Sequence, residues 1–121
     1  MTIKEVSCQL GISENTLRYY EKIGLIPPVP RNASGVRRYD SASIRQLLLV
    51  LKLKEMGLPL HAITAYMQLV LAGDHTQDER RTILLSAKQS LLEKIEKAET
   101  SLHLIQQTLT NPGSLNQMLC H

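Results

Sequence analysis

Apolar residues recur at three- and four-residue steps over most of this chain, and Gly and Pro interrupt them at intervals, the pattern of short helices joined by tight turns. Thr2 and Glu5 have the spacing of a capping box and predict a first helix over about 3–10. Gly11 can take the left-handed conformation that ends it, and Ser13 can cap a second helix over about 14–23, which Gly24 closes. Val6, Ile12 and Leu17 are spaced to pack these two helices together. Asn15, Thr16, Arg18, Tyr19 and Tyr20 are then left at or beside the exposed face, with packing as the competing role for Tyr20.

Pro27, Pro28 and Pro30 forbid further helix. Between Val29 and Tyr39, Asn32, Ser34 and Gly35 supply turn chemistry between two short extended arms, so a small hairpin is expected. Asp40 caps a third helix over about 41–56, in which Ile44, Leu47, Leu48 and Leu51 make the apolar face, and Gly57 ends it. A fourth helix over about 60–72 runs to Gly73. From about 76 to 110 neither Pro nor Gly occurs, which predicts one helix of about 34 residues, about 50 Å long at 1.5 Å per residue. Asn111-Pro112-Gly113 breaks it, and a short tail ends at Cys120 and His121.

The long helix carries a seam. Leu84, Ala87, Leu91, Ile95, Ala98, Leu102, Ile105 and Leu109 follow three- and four-residue steps on a helix otherwise coated with Lys, Glu, Gln and Ser. A helix of this length overhangs the four short elements before it, so the seam predicts a coiled-coil homodimer. Two successive four-residue steps make the repeat imperfect and bring Lys88 close to the seam, where it can snorkel. The expected organisation is a winged helix-turn-helix domain over 1–73, a dimerisation helix over 74–110 and a tail over 111–121. The fold class is mainly α: a winged helix-turn-helix followed by a long coiled-coil dimerisation helix.

Composition sharpens this picture. Apolar residues make up 43% of the chain but Phe and Trp are absent, so the core is aliphatic. Charge is uneven: residues 1–58 hold nine Lys/Arg against five Asp/Glu, and residues 59–121 hold five against six. The first half is the candidate polyanion-binding half. The longest apolar run, Leu47 to Leu51, is far too short to span a bilayer and no secretory signal is evident, so a cytoplasmic protein without membrane association is expected. Cys8 and Cys120 have neither metal-site nor redox-motif spacing. No organised nucleophile and base pair exists, so neither catalytic residue, cofactor nor resident metal is expected.

Thr16-Leu17-Arg18-Tyr19-Tyr20-Glu21 followed by Gly24-Leu25-Ile26, then Arg37-Arg38-Tyr39, Met56-Gly57-Leu58 and a terminal helix resemble the MerR family of bacterial transcription regulators over about residues 1–110. The resemblance implies that a winged helix-turn-helix reads double-stranded promoter DNA and that an antiparallel coiled coil pairs two subunits across a palindrome. Asn15, Thr16, Arg18 and Tyr19 fall in or beside the major groove, and Tyr20 falls either there or in the packing. Arg31, Asn32, Ser34, Gly35, Arg37 and Tyr39 fall on the wing, where guanidinium forks, backbone amides and the Tyr39 hydroxyl take phosphate oxygens. Arg38 alternates to the other face in a regular strand. Leu84, Leu91, Ile95, Ala98, Leu102, Ile105 and Leu109 are the dimer contacts. The resemblance further implies bacterial RNA polymerase at the same promoter, and a small effector or chemical stress that makes the dimer bend and untwist DNA.

The trigger is less legible. Cys120, His121 and His75 make a poor site for a soft metal, and about ten residues after the long helix leave no room for a drug-binding domain. Short members that respond to electrophiles would carry a cysteine near Lys52, and residues 47–58 contain none. Cys8 is expected to be a buried small residue and Cys120 the accessible redox candidate. A metal- or thiol-based ligand-binding module and a constitutive repressor stay open as alternatives.

Overall fold

The computed structural model describes residues 1–113. Five helices appear in the order α1 (Ile3–Leu10), α2 (Glu14–Lys22), α3 (Ser41–Glu55), α4 (Leu60–Ala72) and α5 (Gln77–Thr110), with one 3₁₀ turn, Asp74–Thr76, before α5. Local chemistry sets their ends. The Thr2 hydroxyl accepts from the Glu5 amide at 3.2 Å, and the Glu5 carboxylate in return accepts from the Thr2 amide at 3.4 Å. Ser13 accepts from the Thr16 amide at 3.1 Å, and Asp40 from the Ser43 amide at 2.8 Å. Gly11, at φ 68°, turns the chain from α1 into α2 while its amide closes on the Ser7 carbonyl, a conformation any side chain would strain.

The described chain divides into two compact units, Met1–Ile83 and the segment from Leu84 onward. The first unit therefore continues past residue 73 into the first turns of α5. Thr76 is buried, and its hydroxyl lies 2.7 Å from the carbonyls of both Leu69 and Gly73, which ties the 3₁₀ turn to α4. Val6, Ile12, Leu17, Leu25, Ile26, Leu47, Val50, Leu53, Leu58, Ile63 and Met67 form its aliphatic core. Val29, Tyr20 and Tyr39 complete it, the tyrosines supplying the large rings in a core without Phe or Trp.

Three expectations about faces are corrected here. On α3 the buried stripe is Ser43, Leu47, Val50 and Leu53, and Leu48 is exposed. The run Leu47–Leu51 is apolar on every side, so only the packing of α3 against α4 selects the face that is covered. Cys8 is exposed rather than buried, because it lies two residues, about 200° of helix rotation, from the buried Val6. Cys120 lies outside the described residues. The wing is also sparser than two paired arms: among the described residues it holds one antiparallel bridge, Arg31 with Arg37, and no longer strand. Pro28 and Pro30 have no amide to extend the ladder.

The second unit is nearly all α5, a helix of 34 residues with no buried position. Leu91, Ile95, Leu102, Ile105 and Leu109 are all exposed, while Leu84 and Ala87 are half-buried. At about 100° per residue the expected seam from Leu84 to Leu109 falls within an arc of about 80°. Leu85 and Leu92 widen it on one side, and Leu104 stands on another face.

Candidate nucleic-acid interface

The exposed side of α2 carries Asn15, Arg18 and Tyr19, with Thr16 half-exposed beside them. Their geometry is partly set before any ligand arrives. Arg18 Nη1 donates to Asn15 Oδ1 at 3.1 Å, and Arg18 Nη2 lies 3.9 Å from the Glu14 carboxylate. The longer contact is exposed and adds little energy, but the Asn15 bond orients the guanidinium and leaves most of its donors for another partner. The Ser13 hydroxyl donates to Thr16 Oγ1 at 2.8 Å, so the Thr16 hydroxyl hydrogen stays available as a donor.

Tyr20 does not belong to this face. It is 5% exposed and packs in the core, since position 20 lies about 60° around the helix from the buried Leu17, whereas Tyr19 lies about 200° away. Its carbonyl instead accepts the Leu25 amide at 2.9 Å and helps turn the chain at the end of α2.

The wing is held by its own polar groups. Asn32 Oδ1 accepts from the amides of Ser34 at 2.9 Å and Val36 at 3.0 Å. The Gly35 amide donates to the Asn32 carbonyl, and the Asn32 amide to the Val36 carbonyl, each at 2.9 Å. The amides of Asn32, Ser34, Gly35 and Val36 are spent on the turn, so the expectation that wing amides take phosphate oxygens is corrected at Asn32, Ser34 and Gly35. The donors that remain on the rim include the side chains of Arg31, Asn32, Ser34 and Arg38. Arg31 Nη1 reaches across to the Gly35 carbonyl at 2.9 Å, which fixes that guanidinium over the tip.

Tyr39 is likewise corrected. It is 1% exposed and its hydroxyl has no hydrogen-bond partner among the described residues. Burial raises the phenol pKa above its usual 10.0, against the opposing pull of the Arg37 charge. The return arm ends against the domain here: the Tyr39 amide donates to the Met1 carbonyl at 2.7 Å, and the Met1 amine donates to the Tyr39 carbonyl at 2.9 Å. The ring thus stands in the core and not on the rim.

Arg37 is only partly available. Its Nε donates to Glu21 Oε1 at 2.7 Å, a charge-assisted bond in which the Arg37 side chain is 23% exposed. The other Glu21 oxygen accepts the Val29 amide at 3.1 Å. Burial pushes the Glu21 carboxyl up, but the Arg37 and Val29 hydrogen bonds outweigh it and hold the group below the usual 4.5. In the sequence Glu21 stands out only as part of the Thr16–Glu21 motif. The signal that marks it is a carboxylate in the last turn of a helix, where the macrodipole disfavours it, beside a surface otherwise rich in arginine.

Residues 1–70 match the family described as MerR HTH family regulatory protein. The chain belongs to the MerR family. The HTH-type transcriptional regulator AdhR of Bacillus subtilis is 41% identical over 93 residues, 77% of this chain and 66% of AdhR. The HTH-type transcriptional activator TipA of Streptomyces lividans is 32% identical over 97 residues, 80% of this chain but only 38% of TipA. The chain thus spans just under two thirds of AdhR and far less of TipA. Among solved structures, a MerR family transcriptional regulator from Listeria monocytogenes superposes with a TM-score of 0.76 at 34% identity, over 94% of this chain and 86% of that one. HiNmlR, a MerR family regulator that lacks the sensor domain and was solved bound to promoter DNA, gives a TM-score of 0.70 at 30% identity, over 90% of this chain and 86% of its own. Residues 1–70 of this MerR-family chain are thus the HTH domain of a transcription regulator family. Among the described residues no helix is long and apolar enough to cross a membrane, and no three His, Cys, Asp or Glu gather as metal ligands.

Proposed function

We propose that this MerR-family chain works as a homodimer that binds a palindromic promoter and controls transcription there by distorting the DNA for RNA polymerase in response to a small effector or chemical stress. The observation that carries this reading is the exposed apolar seam of α5, a stripe that a single chain leaves in water and a second copy covers. Pairing two copies gives two α2 faces, and a two-fold dimer matches a two-fold operator. Asn15, Thr16, Arg18 and Tyr19 read base edges, while Arg31, Asn32, Ser34, Arg37 and Arg38 hold the backbone. The protein acts in the cytoplasm, where its promoter is.

Gel shifts at several salt concentrations on the DNA upstream of its own gene, with an intact palindrome and with one half-site scrambled, test this. The dimer reading expects the intact site to bind far more tightly, and equal affinity for both probes would reject it. A thiol trigger is a second reading, and the exposure of Cys8 favours it by adding a second candidate to Cys120. Cys8→Ser and Cys120→Ser, each challenged with an alkylating aldehyde or an oxidant, assign the response to one thiol. A response that survives both removes thiol control.

A further inference from the structure

Glu21 belongs to α2 but bonds to the wing. One oxygen takes the Val29 amide on the approach to the wing, the other takes Arg37 Nε on its returning arm, and the side chain is only 14% exposed. One carboxylate thereby clamps both ends of the wing to the recognition helix. Its charge is in the wrong place by simple electrostatics, on a surface that meets a polyanion and at a helix terminus that prefers a cation. An arrangement that costs long-range attraction needs a short-range return.

We propose that Glu21 is a positioning residue for DNA binding. By taking Arg37 Nε it fixes the guanidinium in one orientation, and among the described residues the Arg37 Nη groups make no other hydrogen bond, so they are presented to a backbone phosphate already aligned. The arrangement is a relay of two charge-assisted bonds, carboxylate to guanidinium to phosphate. The gain is preorganisation: a long side chain that would lose rotamer freedom on binding has already lost it on folding. Lysine cannot replace arginine in this role, because a single ammonium cannot hold a fixed fork toward both partners. The inference rests on the reading that the wing grips the DNA backbone.

The sign of one measurement separates this role from simple charge. Glu21→Gln removes a negative charge facing DNA, so electrostatics alone makes the variant bind more tightly. Positioning requires weaker binding. Fluorescence anisotropy with a mixed-sequence DNA duplex at low salt is the assay, because backbone contacts do not need the operator. The full chain with Glu21→Gln is expected to bind about tenfold more weakly, equivalent to about 1.4 kcal/mol, and to lose about one unit of the slope of log K against log salt. Arg37→Ala should do the same, and Glu21→Gln combined with Arg37→Ala should be no weaker than Arg37→Ala alone. Arg37→Lys keeps the charge, Glu21 and the Val29 bond, and should still resemble Arg37→Ala, which tests the relay independently of any folding defect in Glu21→Gln. Tighter or unchanged binding by Glu21→Gln beside a weakened Arg37→Ala overturns the inference alone, as does wild-type affinity in Arg37→Lys. Wild-type affinity in Arg37→Ala removes the wing-grip reading and the inference with it.

Discussion

Leu102 is the position where the dimer reading is most exposed to refutation. Leu102 is 55% exposed in the single chain, near the middle of the α5 seam. Burying a leucine completely is worth about 1.5–3 kcal/mol, so covering the exposed half returns about 1 kcal/mol per copy and about 2 kcal/mol in a symmetric pair. Leu102→Asp forfeits that and sets a carboxylate against an apolar face in each subunit, at a further cost of several kcal/mol unless the charge escapes to water. A total above about 4 kcal/mol raises the dimer dissociation constant by about a thousandfold. The fold itself should not suffer, because no residue of α5 is buried and Leu102 lies outside the compact unit that ends at Ile83. Sedimentation equilibrium over a concentration series is the measurement, with helical content by circular dichroism as the folding check. Leu104 provides the control: it is 57% exposed, as much as Leu102, but stands about 200° around the helix. Leu104→Asp should leave the dimer intact. If both variants dissociate alike, or if Leu102→Asp stays dimeric, the seam is not the interface.

Further outcomes follow from the α2 face and the wing. Arg18→Ala should cost on the order of 1–3 kcal/mol on the operator and little on random duplex; equal losses on both would show that Arg18 holds phosphate and reads no base. Tyr39→Phe removes a buried hydroxyl that has no partner among the described residues and should stabilise the protein by about 1 kcal/mol in urea unfolding, whereas destabilisation would reveal a partner for that oxygen. The Glu21 carboxyl is held below 4.5 in the folded chain by Arg37 and Val29, so its contribution to stability is complete above the unfolded value and is lost as pH falls through the lower folded value. Acidification from about pH 5 to pH 3 should therefore narrow the stability gap between wild type and Glu21→Gln. A gap that stays constant or widens would contradict the depressed pKa.

Much of this protein could be read along the chain because helix ends are decided by neighbours. Thr2 with Glu5, Ser13 and Asp40 cap amides within three residues, and Gly11 accepts a left-handed turn; the expected ranges 3–10, 14–23, 41–56, 60–72 and 76–110 accordingly fall within one residue at each end of α1 to α5. The motif around Arg18 and the seam of α5 were legible for the same reason, since both are spacings on one helix. Which side of an element is covered is a different kind of fact. Leu47 and Leu48 are equivalent to the eye, and only the packed neighbours bury one and leave the other in water. The family resemblance puts Tyr39 on the rim, but the arm that carries it folds back against Met1 and the core takes the ring. The bond from Arg37 to Glu21 joins residues sixteen positions apart. No periodicity connects them, so that contact and the use made of it exist only once α2 and the wing have been brought side by side.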